Sequence, residues 1–258
     1  LHEQTVSQPA DPTREGHIFY RWTYNGSAWL FQHKKITSDI TLEAEWFPAH
    51  KVLTTEPSGT SGELLISGFI NEMQKNLTVL TIPEIINGNT IVGFTDGAFE
   101  KLSDAYAHKI VIPNTVKTIG VKAFADIQSV HIEFTGPISK LSEYAFYNCA
   151  HLEEITFEKG LTEIPAYCFY SATEIETIEL PEGLTVIEEN AFEKCSSLKT
   201  LFLPSTLQSI KNMAFEDIGK LEVIYKGTKE DFDKINIEEN NDELLNAKIY
   251  FYSETEPT

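Results

Sequence analysis

Cysteine and histidine are the residue types in this chain that most often carry out chemistry, and their spacing decides what they do here. The 258-residue chain has three cysteines and seven histidines. Cys149 and Cys195 each lie three residues after a phenylalanine, and Cys168 directly precedes one. The sequence has no HExxH motif, no cysteine pair with zinc spacing, no calcium loop, no GxSxG motif and no Gly-rich phosphate loop. We therefore expect no enzyme activity, no metal and no cofactor.

The phenylalanines beside the cysteines belong to a repeat. A small residue followed by phenylalanine recurs six times, as Ala98-Phe99, Ala123-Phe124, Ala145-Phe146, Cys168-Phe169, Ala191-Phe192 and Ala214-Phe215. The steps between successive phenylalanines are 25, 22, 23, 23 and 23 residues. A period in this range indicates a solenoid, in which one supersecondary unit is copied along the chain.

The aligned copies define the unit as LxxLxLPxxLxxIxxxAFxxC. Its alternating apolar residues predict a short strand, and the proline after the strand ends pairing because it has no N–H to donate. Leucine and isoleucine three residues apart, as in Leu184 and Ile187, favour a helical or 3₁₀ turn with one side inward. The phenylalanine rings are expected to lie over one another as an interior spine, with about 0.5–1.5 kcal/mol per ring pair beyond area burial.

The cysteines occupy interior positions of this unit. Cys149 and Cys195 take the position where other units have Leu102 or Ile127, and Cys168 replaces the small Ala. Cys149 and Cys195 are two repeats apart, about 10 Å at roughly 4.8 Å per strand, whereas a disulfide needs Cα atoms closer than about 7 Å. Buried free thiols are the favoured interpretation, with a disulfide and a reactive or metal-binding thiol as the alternatives.

The repeat line resembles the leucine-rich repeats of the BspA-like, or Treponema pallidum-type, family of bacterial surface proteins. The resemblance covers residues 64–226 in units of about 23 residues. It implies a right-handed β/α-type leucine-rich repeat solenoid with short strands and irregular or 3₁₀ turns. It also implies a non-catalytic, secreted or cell-surface protein that adheres to host matrix proteins, host cells or other bacteria.

The two ends of the chain resemble other known elements. Residues 227–252 resemble the C-terminal cap of the same family, and Thr228 is a good N-cap for a short helix that a strand then follows. Residues 12–22 and 36–46, each ending on a tryptophan, resemble a partial Listeria/Bacteroides (internalin B-type) repeat, which implies a small β-rich, β-grasp-like stalk module. The predicted division is a module at 1–50, a linker at 51–63, repeats at 64–226, a cap at 227–252 and a linker at 253–258.

The net charge and the hydropathy of the chain limit the classes of binding partner that we expect. The formal net charge is -19 and the sequence pI is about 4.7. Because carboxylates repel phosphate, we expect no nucleic-acid partner and no anionic membrane partner, and the acidic field favours basic partners. The sequence has no signal peptide and no apolar run of membrane-spanning length, so we expect a mature or excised piece without membrane insertion. We expect the chain to be a monomer.

The outward side of the strands is the candidate binding face, since alternate strand residues point away from the core. The candidate residues are Lys109, His131, Glu133, Glu154, Thr156, Thr177, Glu179, Thr200, Phe202 and Tyr225. Phe202 and Tyr225 are expected to lie side by side as an aromatic anchor for a protein or a glycan. The alternative is a threonine and glutamate array that serves only solubility and strand propensity.

Three functions fit this organisation. The favoured one is a protein-binding, adhesin-like surface protein that uses the strand side. The second is a structural spacer within a larger surface protein. The third is a glycan-binding accessory module, which we rank last because only Phe202 and Tyr225 are outward aromatic residues at sugar spacing.

Overall fold

The computed structural model describes residues 7–31, 36, 38–70, 79–102 and 108–252. Two four-stranded parallel sheets form one side of a solenoid. Their strands are β6 (Val79–Thr81), β9 (Lys109–Ile112), β11 (His131–Phe134), β13 (Glu154–Thr156), β15 (Thr177–Glu179), β17 (Thr200–Leu203), β19 (Glu222–Tyr225) and β21 (Lys248–Phe251). The order is β13-β11-β9-β6 in the first sheet and β15-β17-β19-β21 in the second. Each strand comes from a different repeat or from the cap, so the sheets grow by one strand per repeat.

A second side of the solenoid consists of two-residue strands. They are β10 (Thr118–Ile119), β12 (Lys140–Leu141), β14 (Glu163–Ile164), β16 (Val186–Ile187), β18 (Ser209–Ile210) and β20 (Asn236–Ile237). The segment expected as a helical or 3₁₀ turn differs here. Leu184 N does donate to Pro181 O, three residues back, but the chain then enters β16. The reason is that Ile187 pairs with Ile164 and Ile210 of the adjacent repeats, so the backbone bonds between repeats rather than within one.

The third side, which we call the turn side, carries the Ala-Phe dipeptides. Each repeat has two left-handed backbone positions here, at Gly97, Lys101, Lys122, Asp126, Tyr144, Asn148, Tyr167, Ser171, Asn190, Lys194, Met213 and Asp217. In one repeat, Tyr167 N donates to Glu189 O, Phe169 N to Ala191 O and Ser171 N to Glu193 O, at 2.8–3.0 Å. The strain of a left-handed residue, about 1–2 kcal/mol, is thus offset by hydrogen bonds to the next repeat.

The phenylalanine spine lies behind these turns and confirms the expected stacking. Successive rings from Phe146 to Phe169, Phe192 and Phe215 have centroids 5.2–5.3 Å apart and interplanar angles of 5–7°. At the N-terminal end, Phe99 meets Phe124 edge-on, at 87°. Phe94 also contacts both of those rings, and it pairs with Ile119, which holds the equivalent position in the next repeat.

The N-terminal end of the solenoid is closed by antiparallel strands. β4 (Leu53–Pro57) pairs with β5 (Glu63–Phe69), and β5 pairs in parallel with β8 (Asn89–Phe94), which also pairs with β7 (Ile85–Ile86). The prediction of a linker at 51–63 is therefore wrong for 53–57. Val52 and Leu53 are buried in the core, and their burial holds this segment on the solenoid as its first layer.

A small antiparallel sheet packs against that end. It consists of β1 (His17–Tyr24), β2 (Ser27–Ala28) and β3 (Glu43–Pro48) in the order β2-β1-β3, and a 3₁₀ turn (Ala49–Lys51) leads from β3 into β4. Ile18 and Ala49 are fully buried in the same hydrophobic core as the repeats. Ala49 N also donates to Gly16 O at 2.8 Å. The sheet is thus continuous with the core of the solenoid.

The C-terminal end is closed by α1 (Lys229–Phe232), α2 (Asp242–Leu245) and the strands β20 and β21. Thr228 caps α1 by accepting a hydrogen bond from Asp231 N. Asn241 is fully buried where the next Ala-Phe dipeptide would lie. Its Oδ1 accepts from Phe215 N, and its Nδ2 donates to Lys211 O, Glu238 O and Glu239 O. The Asn241 side chain therefore gives Phe215 N–H the acceptor that a further repeat would supply.

None of the helices in the described residues has the length and apolar character needed to cross a bilayer.

Candidate binding face

The outward side chains of the two parallel sheets form the surface that we call the strand face. Nine of the ten expected residues have their side chains there, exposed or half-buried: Lys109, His131, Glu133, Glu154, Thr156, Thr177, Glu179, Thr200 and Phe202. Strand pairing lines them up, since Lys109 faces His131 and His131 faces Glu154 in the register. Each strand thus contributes outward residues to a preformed surface.

Tyr225 is the exception, and its expected outward placement is wrong. The structure pairs Thr200 with Glu222, so Tyr225 pairs with the buried Leu203 and points inward. Only 1% of Tyr225 is exposed, and its ring lies 5.3 Å from that of Phe232. Its hydroxyl donates to Ser205 O at 3.3 Å, and burial raises the pKa of Tyr225.

The expected aromatic pair is consequently replaced by another set of neighbours. The outward neighbours of Phe202 are Glu179 on one side and Ile224 on the other. Ile224 in turn pairs with Tyr250, which is 40% exposed. Sequence reasoning missed Tyr250 because it assigned the last strand only to the cap, although Tyr250 alternates with the inward Ile249 and Phe251 as a strand-face residue should.

Side chains from adjacent repeats pair across this face, and Lys226 reaches past one repeat to Glu179. Lys109 pairs with Glu133, His131 Nδ1 lies 3.4 Å from Glu154 Oε2, Lys199 Nζ lies 2.5 Å from Glu176 Oε1, and Lys226 Nζ lies 2.5 Å from Glu179 Oε1. The His131 contact has an ion-pair distance without hydrogen-bond geometry. All of these pairs are substantially exposed, so each contributes little to stability, about 0–1 kcal/mol. Their main effect is to orient the charged groups on the face.

The most acidic part of the strand face lies where the two sheets meet, at β13 and β15, and we call it the seam. A depression of about 680 Å³ opens there. It is lined by five glutamates, Glu153, Glu154, Glu174, Glu176 and Glu179, together with His131 and small or hydroxyl residues. Among the described residues, no lysine or arginine lines it. Two of these glutamates are paired with lysines beside the depression, Glu176 with Lys199 and Glu179 with Lys226, so the seam keeps a net negative charge from the other three.

A second depression, of about 770 Å³, continues the seam towards the N-terminal end. It shares His131, Glu154 and Thr156 with the seam and extends to Lys109 and Thr135. The two depressions together form one acidic groove across the strands.

The cysteines take no part in this face. All three are free and buried. The thiols of Cys149 and Cys195 donate to Phe124 O and Phe169 O, each at 3.1 Å. Burial raises the pKa of all three thiols, that of Cys195 to about 12. They are interior side chains that remain protonated at physiological pH.

Metal ligation has no support in the described part of the chain, where no group of three or more His, Cys, Asp or Glu side chains is arranged to hold an ion. The carboxylates of the seam are spread along the strand face, and several of them are already paired with Lys or His. Chemically, the seam is suited to attract positive charge over a surface.

The turn side carries an array that sequence reasoning missed. Tyr144 stacks on Tyr167 with ring centroids 4.9 Å apart, and Tyr147 stacks on Tyr170 at 5.1 Å. Lys194 lies over the Tyr170 ring and donates to its hydroxyl. The signal was present in the sequence, because the two repeats have tyrosine on both sides of the dipeptide. The faces of these rings are largely occupied by one another, so they stiffen the turn side.

Comparisons with known proteins agree with this architecture. The BspA type leucine rich repeat region matches residues 93–222 in six copies, and the Listeria-Bacteroides repeat domain matches residues 1–45. No curated protein matches the chain.

Solved structures share the fold. A T. pallidum leucine-rich repeat protein is 20% identical, with a TM-score of 0.60, over 69% of this chain and 86% of that one. The pneumococcal vaccine antigen PcpA is 21% identical, with a TM-score of 0.56, over 74% of this chain and 49% of that one. A leucine rich cell surface protein from Faecalibacterium prausnitzii A2-165 is 25% identical over 71% of this chain and 40% of that one, with a TM-score of 0.49. The six matched copies cover half of the sequence, and the chain therefore belongs to the family of BspA-type leucine-rich repeat proteins, with a Listeria-Bacteroides repeat at its N-terminus.

Proposed function

We propose that this chain is a non-catalytic, adhesin-like binding protein of a bacterial surface or secreted fraction, which recognises protein partners through its strand face. The observation that carries the proposal is the seam, where five glutamates and no lysine or arginine line one depression among the described residues. The family supports the location and the interaction role, since BspA-type repeat proteins are generally surface or secreted proteins. The burial of all three thiols supports the absence of thiol chemistry.

The charge of the face selects the chemistry of the partner. A surface lined by carboxylates attracts lysine and arginine side chains and accelerates their encounter, and it repels phosphate. Because the face is exposed, salt screens this attraction over a Debye length of about 8 Å at physiological ionic strength. We therefore expect the partner to be a basic protein surface whose affinity falls as salt rises.

The test compares two triple variants with the same change in charge. Glu154→Gln, Glu174→Gln and Glu176→Gln neutralise the seam. Glu143→Gln, Glu163→Gln and Glu189→Gln, all at exposed positions outside the strand face, form the matched control. Both variants and the parent chain are applied at physiological salt to an array of purified extracellular-matrix proteins, bacterial cell-wall material and glycans, after thermal unfolding has shown equal stability.

We expect the parent chain and the control to bind a protein on the array saturably, and the seam variant to bind it at least tenfold more weakly. Equal losses in both variants would assign binding to overall charge and contradict the strand-face proposal. Binding to glycans alone would favour the glycan-binding accessory module. Silence of the parent chain across the array would favour the spacer.

A further inference from the structure

A cavity of about 400 Å³ lies where the N-terminal sheet meets the strand face. Its walls are mainly apolar and include Phe19 and Trp46 from the N-terminal sheet and Ile82, Pro83, Val111 and Pro113 from the first repeats. Charged residues also contribute, but Arg14 and Glu15 are exposed. Ligand sites of about 300–1,000 Å³ with apolar walls and a few polar groups occur preferentially between packed units. This cavity has that size, composition and place.

The aromatic wall of the cavity is held in position from behind. The Phe19 ring lies between Trp22 and Trp46, with centroids 5.5 Å and 5.6 Å away and edge-on geometry. Phe19 is only 8% exposed, and its neighbour Ile18 is fully buried in the core shared with the repeats. The half-buried Trp46 is thus a fixed aromatic surface that faces the strand face. A preformed wall of this kind binds without an added ordering cost.

The cavity adjoins the acidic groove. It shares Thr135 with the second depression, which in turn shares His131, Glu154 and Thr156 with the seam. The combined groove begins at the N-terminal sheet, crosses β6, β9, β11 and β13, and ends at β15. Four strand steps of about 4.8 Å give about 19 Å, which an extended polypeptide of about six residues spans at about 3.3 Å per residue.

We propose that this cavity holds a bulky apolar side chain of an extended polypeptide whose basic residues lie in the acidic groove. The inference rests on the proposed function and adds the anchor of the partner to it. Apolar walls favour an aromatic or branched aliphatic side chain, and burying one is worth a factor of about ten or more in affinity. A sugar would place some of its hydroxyl groups against Pro83, Val111 and Pro113, where they have no hydrogen-bond partner, and that is unfavourable. The polar lining residues His17, Thr81 and Glu84 offer partners to other hydroxyl groups, so the test includes sugars.

The test uses defined peptides as probes. Acetyl-Phe-Gly-Lys-Gly-Lys-amide carries an anchor and two charges, and acetyl-Gly-Gly-Lys-Gly-Lys-amide carries the charges alone. Each peptide is also made in the reverse order, because the polarity of the bound segment is free. The indole N–H signals of the three tryptophans in ¹⁵N NMR report occupancy, and Trp46→Phe identifies the Trp46 signal.

Two variants of the full chain provide the matched comparison. Thr81→Phe places a ring in the cavity from β6, whereas Thr162→Phe places the same ring at an exposed position outside the strand face and outside the three depressions. We expect one orientation of the phenylalanine peptide to bind the parent chain about tenfold more tightly than its glycine counterpart and to shift the Trp46 signal. Thr81→Phe should abolish this advantage, and Thr162→Phe should preserve it.

The outcomes distinguish the proposal of an apolar anchor in the cavity from the proposal of an acidic binding face. If both peptides bind equally and leave the Trp46 signal unshifted, the anchor proposal is contradicted and the acidic strand face is supported. If neither peptide binds at low salt, both the anchor and the acidic face are wrong. If chitotriose or cellotriose shifts Trp46 and the peptides do not, the cavity is a sugar site and the proposal is overturned.

Discussion

The turn side and the strand face of the solenoid use the same repeat in opposite ways. On the turn side, a phenylalanine recurs in every repeat, and successive rings from Phe146 onward stack within 7° of parallel. On the strand face, the equivalent outward positions hold Lys, His, Glu, Thr or Phe in different repeats. The difference shows that stacking between repeats fixes the interior residues, whereas the outward residues are free to vary and to carry recognition.

The largest expected effect comes from breaking the spine in its middle. Phe169→Ala removes a ring that is fully buried between Phe146 and Phe192, and we expect a loss of about 3–5 kcal/mol in the free energy of unfolding. Thr177→Ala, on the strand face of the same turn, should cost less than about 1 kcal/mol. Urea denaturation followed by circular dichroism measures both. Equal costs would show that the two sides do not differ as described.

An intermediate effect is expected at the C-terminal end of the turn side. Asn241→Leu keeps the branched shape of the side chain, leaves Phe215 N–H without its acceptor and removes one donor from each of three carbonyl groups, of which Lys211 O and Glu239 O still accept from Ala214 N and Met213 N. Unsatisfied buried groups cost about 1–3 kcal/mol each, partly relieved by relaxation, so we expect a loss of about 2–4 kcal/mol in the free energy of unfolding.

The control for this variant is Asn212→Ala, which removes an exposed hydrogen bond from Asn240 Nδ2 to Asn212 Oδ1. It should change the free energy of unfolding by less than about 0.5 kcal/mol. Hydrogen exchange of the Phe215 amide gives a local measure of the same contrast. Unchanged protection of that amide in Asn241→Leu would contradict the capping role.

The smallest expected effect is the change in the reactivity of the buried thiols when the pH is raised from 7 to 9. Burial raises the native pKa of each cysteine, that of Cys195 to about 12, so the thiols remain protonated in the folded chain at pH 9. An aromatic disulfide reagent should label none of them at pH 7 or pH 9 in the native state and all three in guanidinium. An exposed control, Thr177→Cys on the strand face, should add one native equivalent. Rapid native labelling of a second equivalent would show that the interior is open to solvent.

Much of the fold was predictable because the repeat determines it. A ring that recurs every 22–25 residues after a small residue has to stack on its copies, and the structure confirms the spine. Nine outward residues were also assigned to the correct side, since the alignment of the repeats reproduces the 22-residue step from Lys109 to His131 and the 23-residue steps that follow.

Tyr225 was placed on the wrong side because the alignment continued the 23-residue step into its strand, where the step is 22 residues. The distance from Thr200 to its strand partner Glu222 is one residue shorter than the distance from Thr177 to Thr200. A shift of one residue moves every side chain of a strand to the opposite face. Leu221, Val223 and Tyr225 do alternate as inward residues, but the apolar Ile224 between them conceals the pattern.

The cavity and the first layer of the solenoid were not predictable from one sequence. Trp46 and Val111 come from separate parts of the chain, and no local sequence pattern indicates that they line the same cavity. The segment at 53–57 contains polar residues and lies near Gly59 and Gly62, and these residue types are typical of loops. Its pairing with β5 is a tertiary contact, which overrides the local preference.

Because Asn241 closes the solenoid with its own side chain, the number of repeats does not depend on the structure of the cap. Phe215 N–H needs only an oxygen at the place where the next repeat would supply Ala O, and an amide side chain supplies it. A chain with one repeat inserted before residue 200 would present the same terminal layer to the same cap. The solenoid can therefore gain or lose whole repeats while the cap keeps the same sequence. The length of its strand face changes with the number of repeats.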